Sequence, residues 1–326
     1  MLRYVGLDVG GTTMKAAVVD DTGHPATAVS IPTEPHLGQE RGLETMCETI
    51  RRAVAAANLT MGDIAAIGVA TPGTMDIAAG LILDPPNLKP WRDVPVRDHI
   101  EKVFGLPTAF QNDANAAAFG EYWVGAGRAV PSMVLFTLGT GVGGGIIIDD
   151  HVLEGRHSHG GELGHTRIAW KGGRLCGCGQ LGCLEAYASA TSVVQRTEEA
   201  LASAKTPSIL SEARTTPNTP LTARMIFDAA KAGDALAQEI VRDTAYFLAV
   251  GATNVMHTID PDMVVFGGGM IAAGDEFLQQ IRDFVKEIAF PVPAERTEIR
   301  YAQLGSDAGF IGAAACGRQL LKSANK

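Results

Sequence analysis

No apolar run in this chain approaches the roughly 20 residues needed to cross a bilayer, so no membrane-spanning helix is expected. Nor is there an excess of basic residues. The formal net charge is −9, the wrong sign for binding a phosphate backbone, so nucleic acid is not an expected partner. That charge still permits a phosphorylated small molecule, which a few backbone amides can hold locally. Cysteines are few and odd in number, five in 326 residues, and the opening MLRYVGLDVGG runs directly into a strand with no secretion signal. A disulfide framework is therefore not expected, and the cytoplasm is the expected compartment. No strand is followed by GxxxxGK[ST], so a P-loop is not expected. What remains is ordinary globular composition, 46% apolar and 19% charged, in a chain long enough for two domains. Glycine is plentiful, 38 residues, and clustered, which points to tight loops around ligands.

The densest chemistry lies in residues 161–189, GELGHTRIAWKGGRLCGCGQLGCLEAYAS. Cys176, Cys178 and Cys183 follow His165 with the spacing H-x10-C-x-C-x4-C. One imidazole and three sulfurs are the donor set that zinc takes in a closed, tetrahedral structural site. Gly177, Gly179 and Gly182 have no Cβ, so the chain can fold back and aim several sulfurs at one centre. Glu162 and Glu185 bracket the cluster, and a zinc there would pin both carboxylates. Cys47 and Cys316 fall in helical apolar patterns and read as core.

Residues 4–9 form a short apolar run ending in Asp8-Val9-Gly10-Gly11-Thr12-Thr13, and residues 16–19 resume it before the turn Asp20-Asp21-Thr22-Gly23. Strand, glycine turn and returning strand make a hairpin whose tip is rich in donors. The amides of Gly10, Gly11 and Thr12 suit phosphate oxygens, Asp8 is placed to hold a hydrated Mg2+, and Lys15 adds a positive charge. Taken alone, this stretch reads equally well as a plain hairpin turn. A repeat tips the balance. Residues 133–151, MVLFTLGTGVGGGIIIDDH, mirror residues 4–22 at a constant offset, with Gly139, Thr140 and Gly141 standing where Gly10, Gly11 and Thr12 stand. Thr137 lies opposite Asp8, so one loop carries the metal partner and the other offers donors only. Two copies of such a unit imply two similar α/β domains facing each other. The pattern resembles the actin–hexokinase–heat-shock ATPase superfold, ribonuclease H-like, in which both hairpins grip the phosphates of ATP across an interdomain cleft.

Between the copies, residues 40–59 have helical spacing, and residues 64–69 form a strand ending in Ala70-Thr71-Pro72-Gly73, where ligands of α/β proteins sit. Residues 81–91, LILDPPNLKPW, read as a proline-rich loop exposing Asn87 and Trp91. The tryptophan is either a sugar platform or a plug in the domain base. Residues 107–111 form a strand leading to Asn112 and Asp113; from the residues alone, Asp113 is either a helix N-cap or a buried base. Helices are expected over 191–201, 221–231, 235–258 and 308–321. A strand over 263–266 runs into Gly267-Gly268-Gly269, three glycines that let backbone approach a flat ligand such as adenine. Residues 206–219 read as a surface loop without an assigned role.

Together DVGGTTMK, ATPG, NL-x-x-W, NDANAAA, LGTGVGGG, GELGH, CGCGQLGCLE and the late GGG resemble the signature of the ROK family of sugar kinases and sugar-responsive repressors, over essentially the whole chain. The likeness runs to its bacterial glucokinases. It implies transfer of the γ-phosphoryl of ATP to the 6-hydroxyl of a hexose, with Mg2+ and a structural Zn2+. Asp113 would be the catalytic base. Gly73, Asn87, Asn112, Glu162, His165 and Glu185 would surround the sugar, with His165 also a zinc ligand beside Cys176, Cys178 and Cys183. Asp8, Gly10, Gly11, Thr12, Lys15, Gly139, Thr140, Gly141, Gly267, Gly268 and Gly269 would surround the nucleotide. Glucose is favoured by resemblance alone. Fructose, mannose, N-acetylglucosamine and N-acetylmannosamine stay open, as do polyphosphate as donor and a catalytically silent sugar-sensing regulator. The repressor branch carries an N-terminal helix-turn-helix domain, for which a chain that starts at its first strand is expected to have no room. The expected domains are 1–114 with a C-terminal helix 307–326, and 115–306 with the zinc loop; a homodimer or homotetramer is expected.

Overall fold

The computed structural model describes residues 1–203, 207–211 and 220–324. Of the surface loop expected over 206–219, all but 207–211 lies outside the described residues. The chain begins with β1 (Arg3–Val9), β2 (Thr13–Asp20), β3 (Val29–Pro32), α1 (Gln39–Ala56) and β4 (Ala66–Thr71). It continues through β5 (Thr74–Asp76), β6 (Leu81–Asp84), β7 (Val94–Pro95), α2 (Val96–Phe104), β8 (Thr108–Asn112) and α3 (Asp113–Val124). Then come β9 (Ser132–Leu138), β10 (Val142–Ile148), β11 (His151–Val152), α4 (Glu185–Ala188), α5 (Ala190–Ser203), α6 (Ala223–Lys231) and α7 (Ala235–Ile259). The last elements are β12 (Met263–Gly267), α8 (Asp275–Ile288), α9 (Pro291–Arg296), β13 (Glu298–Tyr301) and α10 (Ala308–Ala324).

Two five-stranded sheets share one topology, β3-β2-β1-β4-β8 and β11-β10-β9-β12-β13. The repeat in the sequence is thus a repeat in space. β1 and β9 carry the same alternation of buried and half-buried residues, and each pairs in parallel with a later strand, from Tyr4↔Ala66 and from Met133↔Met263. By compactness the chain divides into a unit of Met1–Ser132, Gly145–Gly161 and Gln303–Lys326 and a unit of Met133–Gly144 and Glu162–Ala302. The boundary expected after residue 114 falls in the first turn of α3, a helix that by compactness lies with the first unit.

In the first unit, strand periodicity sorts residues to opposite faces of the sheet. Val5, Leu7 and Val9 join Met14, Ala16 and Val18 in a core with Met46, Cys47 and Ile50 of α1. Tyr4, Ala17 and Val19 face the other way, onto Phe310, Ile311 and Ala314 of α10. The α10 side is unusually close. A Cβ on Gly6 would strike the Phe310 carbonyl, one on Gly68 the Ala313 carbonyl, and one on Gly312 the Ala116 carbonyl of α3. A second clamp is Glu121 of α3, fully buried, whose carboxylate accepts from the backbone amides of Ala126 (2.8 Å), Gln303 (2.9 Å) and Leu304 (2.7 Å). Charged acceptors bonded to several amides are among the stronger hydrogen bonds, and here they fix the approach to α10.

Trp91 takes the plug reading. It is 1% exposed, donates from Nε1 to the Pro35 carbonyl at 3.2 Å and lies against Gly42 of α1. The expected loop over 81–91 is half strand, because Leu81–Asp84 pairs between β5 and β7 and buries Ile82 before the prolines begin. In the second unit, Phe136 and Phe266 stack between β9 and β12 with ring centroids 5.4 Å apart. Arg196 of α5 is buried and donates to the carbonyls of Tyr187 (2.8 Å) and Ile240 (3.1 Å) and to Thr244 Oγ1 (3.0 Å), tying the cysteine-rich loop's exit to α7. No helix among the described residues is long and apolar enough to cross a membrane.

The glycine contacts carry a testable consequence. Gly312→Ala would stabilise an isolated helix by about 1 kcal/mol. Here it is expected to lower stability by about 2 kcal/mol or more, because the new methyl meets the α3 backbone, which cannot yield. Urea midpoints measure this; Gly62→Ala, where a Cβ meets nothing closer than Thr60 Oγ1 at 3.7 Å, should shift stability by less than about 0.5 kcal/mol.

Candidate active site

In the first unit the site residues gather at the carboxyl ends of three adjacent parallel strands. Asp8 of β1 lies beside Ala70 of β4, and Thr71 beside Asn112 of β8. Asp8 shares a sheet face with Gly6, towards α10, and a Cβ on Gly309 would strike its carboxylate, so glycine makes that space. Burial pushes the Asp8 carboxyl up from 3.8 to about 6, against the opposing pull of the Lys15 charge. Lys15 pairs with Asp8 in register, but its ammonium reaches Asp307 Oδ1 at 2.6 Å and Ser306 at 3.3 Å.

The 10–12 loop is tied down by its carbonyls. Thr33 donates from Oγ1 to Gly10 O (2.6 Å) and from its amide to Thr12 O (2.9 Å). The amides of Gly11 and Thr12 have no partner among the described residues. Gly11 sits against the Asn87 carbonyl, and Asn87 itself is exposed. Gly73, at φ +92°, has Pro85 where a Cβ would go, so only glycine fits there. The helix cap at α3 belongs to Asn112: its Oδ1 accepts from the amides of Ala114 (2.9 Å) and Asn115 (3.2 Å). Asp113 is therefore the first helical residue rather than the cap, its Oδ1 accepting from the Ala114 amide at 2.8 Å.

The second unit repeats the loop arrangement. Gly139 O accepts from Ala190 N (2.9 Å), Thr140 O from Thr191 Oγ1 (2.8 Å) and Gly141 O from Gly139 N (3.0 Å). The amides of Thr140 and Gly141 are left without a partner among the described residues. Carbonyls held and amides left over make an anion-binding concavity. Gly267 pairs with Thr137; Gly268 takes φ +88° against the Leu138 carbonyl; Gly269 has no atom within 4 Å of where a Cβ would stand.

His165, Cys176, Cys178 and Cys183 bring four ligand atoms within 4.8 Å of one another. Cys176 Sγ lies 3.7 Å from His165 Nδ1, and Cys178 Sγ 3.8 Å from Cys183 Sγ. Four donors at zinc's bond lengths of about 2.0–2.3 Å stand about 3.5–3.8 Å apart along the edges of a tetrahedron, so the set fits that ion. Tight turns build it: Cys176 N bonds to Gln180 O, and Gly179 and Gly182 both take φ +83°. Arg174 anchors the base of this loop through a two-pronged contact to Glu199, both arms 2.7 Å. Glu185 joins the loop to the hairpin. Its Oε1 accepts from the Cys176 thiol (3.3 Å) and its Oε2 from the Val142 amide (3.0 Å). Glu162 is exposed at the turn before His165. Cys47 and Cys316 are buried in the first unit.

The sequence reading missed Thr33, Thr191 and Glu121. Thr33 and Thr191 act through contacts that no local motif announces; Glu121 closes the NDANAAAFGE stretch and could have been found there.

The ROK family model matches residues 4–319. The chain belongs to the ROK family. It is 37% identical over 309 residues to a glucokinase of Halalkalibacterium halodurans, covering 95% of this chain and 93% of the relative. Among solved structures, a ROK hexokinase from Thermus thermophilus matches with a TM-score of 0.85 at 33% identity, over 99% of this chain and 100% of that one. A ROK glucokinase from Streptomyces griseus, solved with glucose and AMPPNP, matches with a TM-score of 0.78 at 33% identity, over 97% and 99%. The fold is the actin-like sugar kinase fold. The ROK family also includes N-acetylmannosamine kinases and xylose repressors.

The raised Asp8 carboxyl gives a sign that can be checked. A carboxyl with a higher pKa folded than unfolded favours the fold only while protonated, so its contribution fades as pH rises from about 4 to about 6. Asp8→Asn should therefore be the more stable protein at pH 7, by up to about 3 kcal/mol, in melts without added divalent metal. Below pH 4 the two melting curves should converge.

Proposed function

We propose that this chain is an ATP-dependent hexose kinase that phosphorylates the 6-hydroxyl of glucose, with Asp113 as the general base. The observation that carries the reading is the junction of β8 and α3. Asn112 supplies the cap, and Asp113 opens the first turn of α3 directly after β8, whose neighbour β4 also pairs with Asp8's strand, so a carboxylate stands at the carboxyl end of the same sheet as Asp8. A hexose hydroxyl is a weak acid, and its proton must leave as the new P–O bond forms; a carboxylate within hydrogen-bond reach accepts it. The unpartnered amides at Gly11, Thr12, Thr140 and Gly141 would hold phosphate oxygens, which is the positioning and charge dispersal that phosphoryl transfer needs. Gly10, Gly139 and the 267–269 glycines would let the nucleotide close on the backbone. Asp8 would hold a hydrated Mg2+, whose charge offsets that of the phosphates. Lys15, engaged by Asp307, would contribute through the local field rather than by contact.

Around the sugar, Asn112 has its Nδ2 end outside the cap and would donate to a hydroxyl. Asn87 and the Gly73 turn in the first unit, and Glu162 and Glu185 in the second, would offer further partners to hydroxyls. With Cys176 a zinc-bound thiolate, its bond to Glu185 Oε1 is given up and that oxygen is open to a hydroxyl, while Oε2 keeps the Val142 amide. His165 directs Nδ1 at the sulfurs, leaving Nε2 for a hydroxyl. The cluster with Cys176, Cys178 and Cys183 would hold one structural zinc, with no open position. Glucose as substrate is supported by the names of the relatives, which are glucokinases at 37% and 33% identity. Free cysteine ligands agree with a cytoplasmic enzyme.

Asp113→Asn retains size while removing the base. Turnover is expected to fall by at least about a hundredfold, with melting temperature and glucose affinity held. Near-normal turnover would show that the base lies elsewhere. A coupled ADP-release assay over glucose, fructose, mannose and the two N-acetylhexosamines tests the substrate, and sugar binding without turnover on any would favour a sugar-sensing regulator. Elemental analysis of protein purified without added metal should return about one zinc per chain; active protein free of zinc would remove that assignment.

A further inference from the structure

The turn that presents Asn112 and Asp113 is held from behind by a side chain that lies outside the reaction. Gln111, the penultimate residue of β8, is 2% exposed. Its Oε1 accepts from the Asn112 amide at 2.8 Å and from Asn115 Nδ2 at 3.1 Å. Its Nε2 donates to Glu154 Oε1 at 2.8 Å. The orientation of this amide is dictated by its partners. Two donors face the oxygen and a carboxylate faces the nitrogen, so the flipped amide would set N–H against N–H and oxygen against oxygen.

We propose that Gln111, bridged to Glu154, is a positioning residue that sets how Asn112 and Asp113 leave β8, and so aims the base; this rests on the reading of Asp113 given above. The Asn112 N–H is turned onto the side chain of the residue before it. The plane of the 111–112 peptide therefore follows the place where the Gln111 amide is held, and Glu154 holds it. Glu154 is itself built in: its amide donates to Val152 O (3.0 Å), and its carbonyl accepts from the Gly160 amide (2.8 Å), where a Cβ would meet the backbone. The same Asn112 then caps α3, so one chain of bonds runs from Glu154 through Gln111 and Asn112 to the first turn that carries Asp113. A base displaced by about 1 Å can cost a hundredfold in rate, so a second tether behind the turn has kinetic value. Other titratable groups face the bridge. Arg97 and Glu101 of α2, His151 of β11 and Cys316 of α10 line the same cavity of about 520 Å3.

The test is a charge swap read as a pH profile. Gln111→Glu sets a second carboxylate against Glu154. At low pH a shared proton recreates the bridge; as pH rises both carboxylates ionise and repel. The variant should turn over glucose near the wild-type rate at about pH 6 and at least about tenfold more slowly at pH 8, while KM for ATP stays within about twofold. The wild-type profile, measured alongside, carries whatever His151 contributes. In Gln111→Glu with Glu154→Gln, the new amide donates to the new carboxylate, and the profile should return to that of wild type. Circular dichroism at each pH confirms that the variants are equally folded. A wild-type profile in Gln111→Glu, or a loss that the reciprocal swap leaves in place, overturns the proposal. Asp113→Asn assayed in the same series separates the two readings. If it alone turns over normally, the base assignment fails; if it is dead and Gln111→Glu is normal throughout, only the positioning role fails.

Discussion

The contact on which the first unit depends is backbone against backbone: at glycines the main chain of α10 comes directly against that of β1, β4 and α3. Gly6, Gly68, Gly120 and Gly312 all sit where a single methyl would meet a neighbouring main chain. Such packing leaves no adjustable layer. Close-packed interiors transmit displacement rather than absorb it, so the ends of β1, β4 and β8 are set by the seat of one helix. Gly309 on that helix is also the residue that leaves room for the Asp8 carboxylate. Glu121 adds the electrostatic counterpart, gathering the amides that lead into α10 around one buried carboxylate.

The duplicated hairpin shows how one local solution can be used twice. In both copies loop carbonyls are satisfied from within the protein and amides are left over, at 11–12 and at 140–141. The anchors differ: Thr33, from just past β3, serves the first loop, and Ala190 with Thr191, from the start of α5, serves the second. The carboxylate differs too, since Asp8 has Thr137 as its counterpart. A shared geometry of leftover amides with one acidic member suits the proposed split between holding anionic charge and holding a cation.

The cysteine loop is joined to the second hairpin through Glu185, which accepts from Val142 on one oxygen and from Cys176 on the other. Arg174 and Arg196 fix the base and the exit of the same loop. A segment with little regular structure is thus held at three places, and Glu162 and His165 ride on it. Loops that carry function on a rigid frame are common; here the frame includes the four clustered ligands themselves.

Much of this was legible in the chain. Alternation of apolar residues marked the strands, glycine-rich tips marked the hairpins, and the repeat of 4–22 at 133–151 implied two sheets of one topology. The cysteine spacing marked a four-ligand cluster because such ligands lie close in sequence. Local capping and burial were not decidable that way. Whether Asn112 or Asp113 caps α3 turns on one side-chain rotamer, and whether Trp91 faces a ligand or the core depends on Gly42 and Pro35, some fifty residues away. Lys15, expected to add positive charge beside the nucleotide, reaches Asp307, almost three hundred residues on. The bridge from Gln111 to Glu154 likewise joins distant segments. Periodicity and motif are properties of neighbours along the chain, so sequence alone determined the elements and the ligand types. Which donor meets which acceptor across long separations is decided only when the helices and sheets pack.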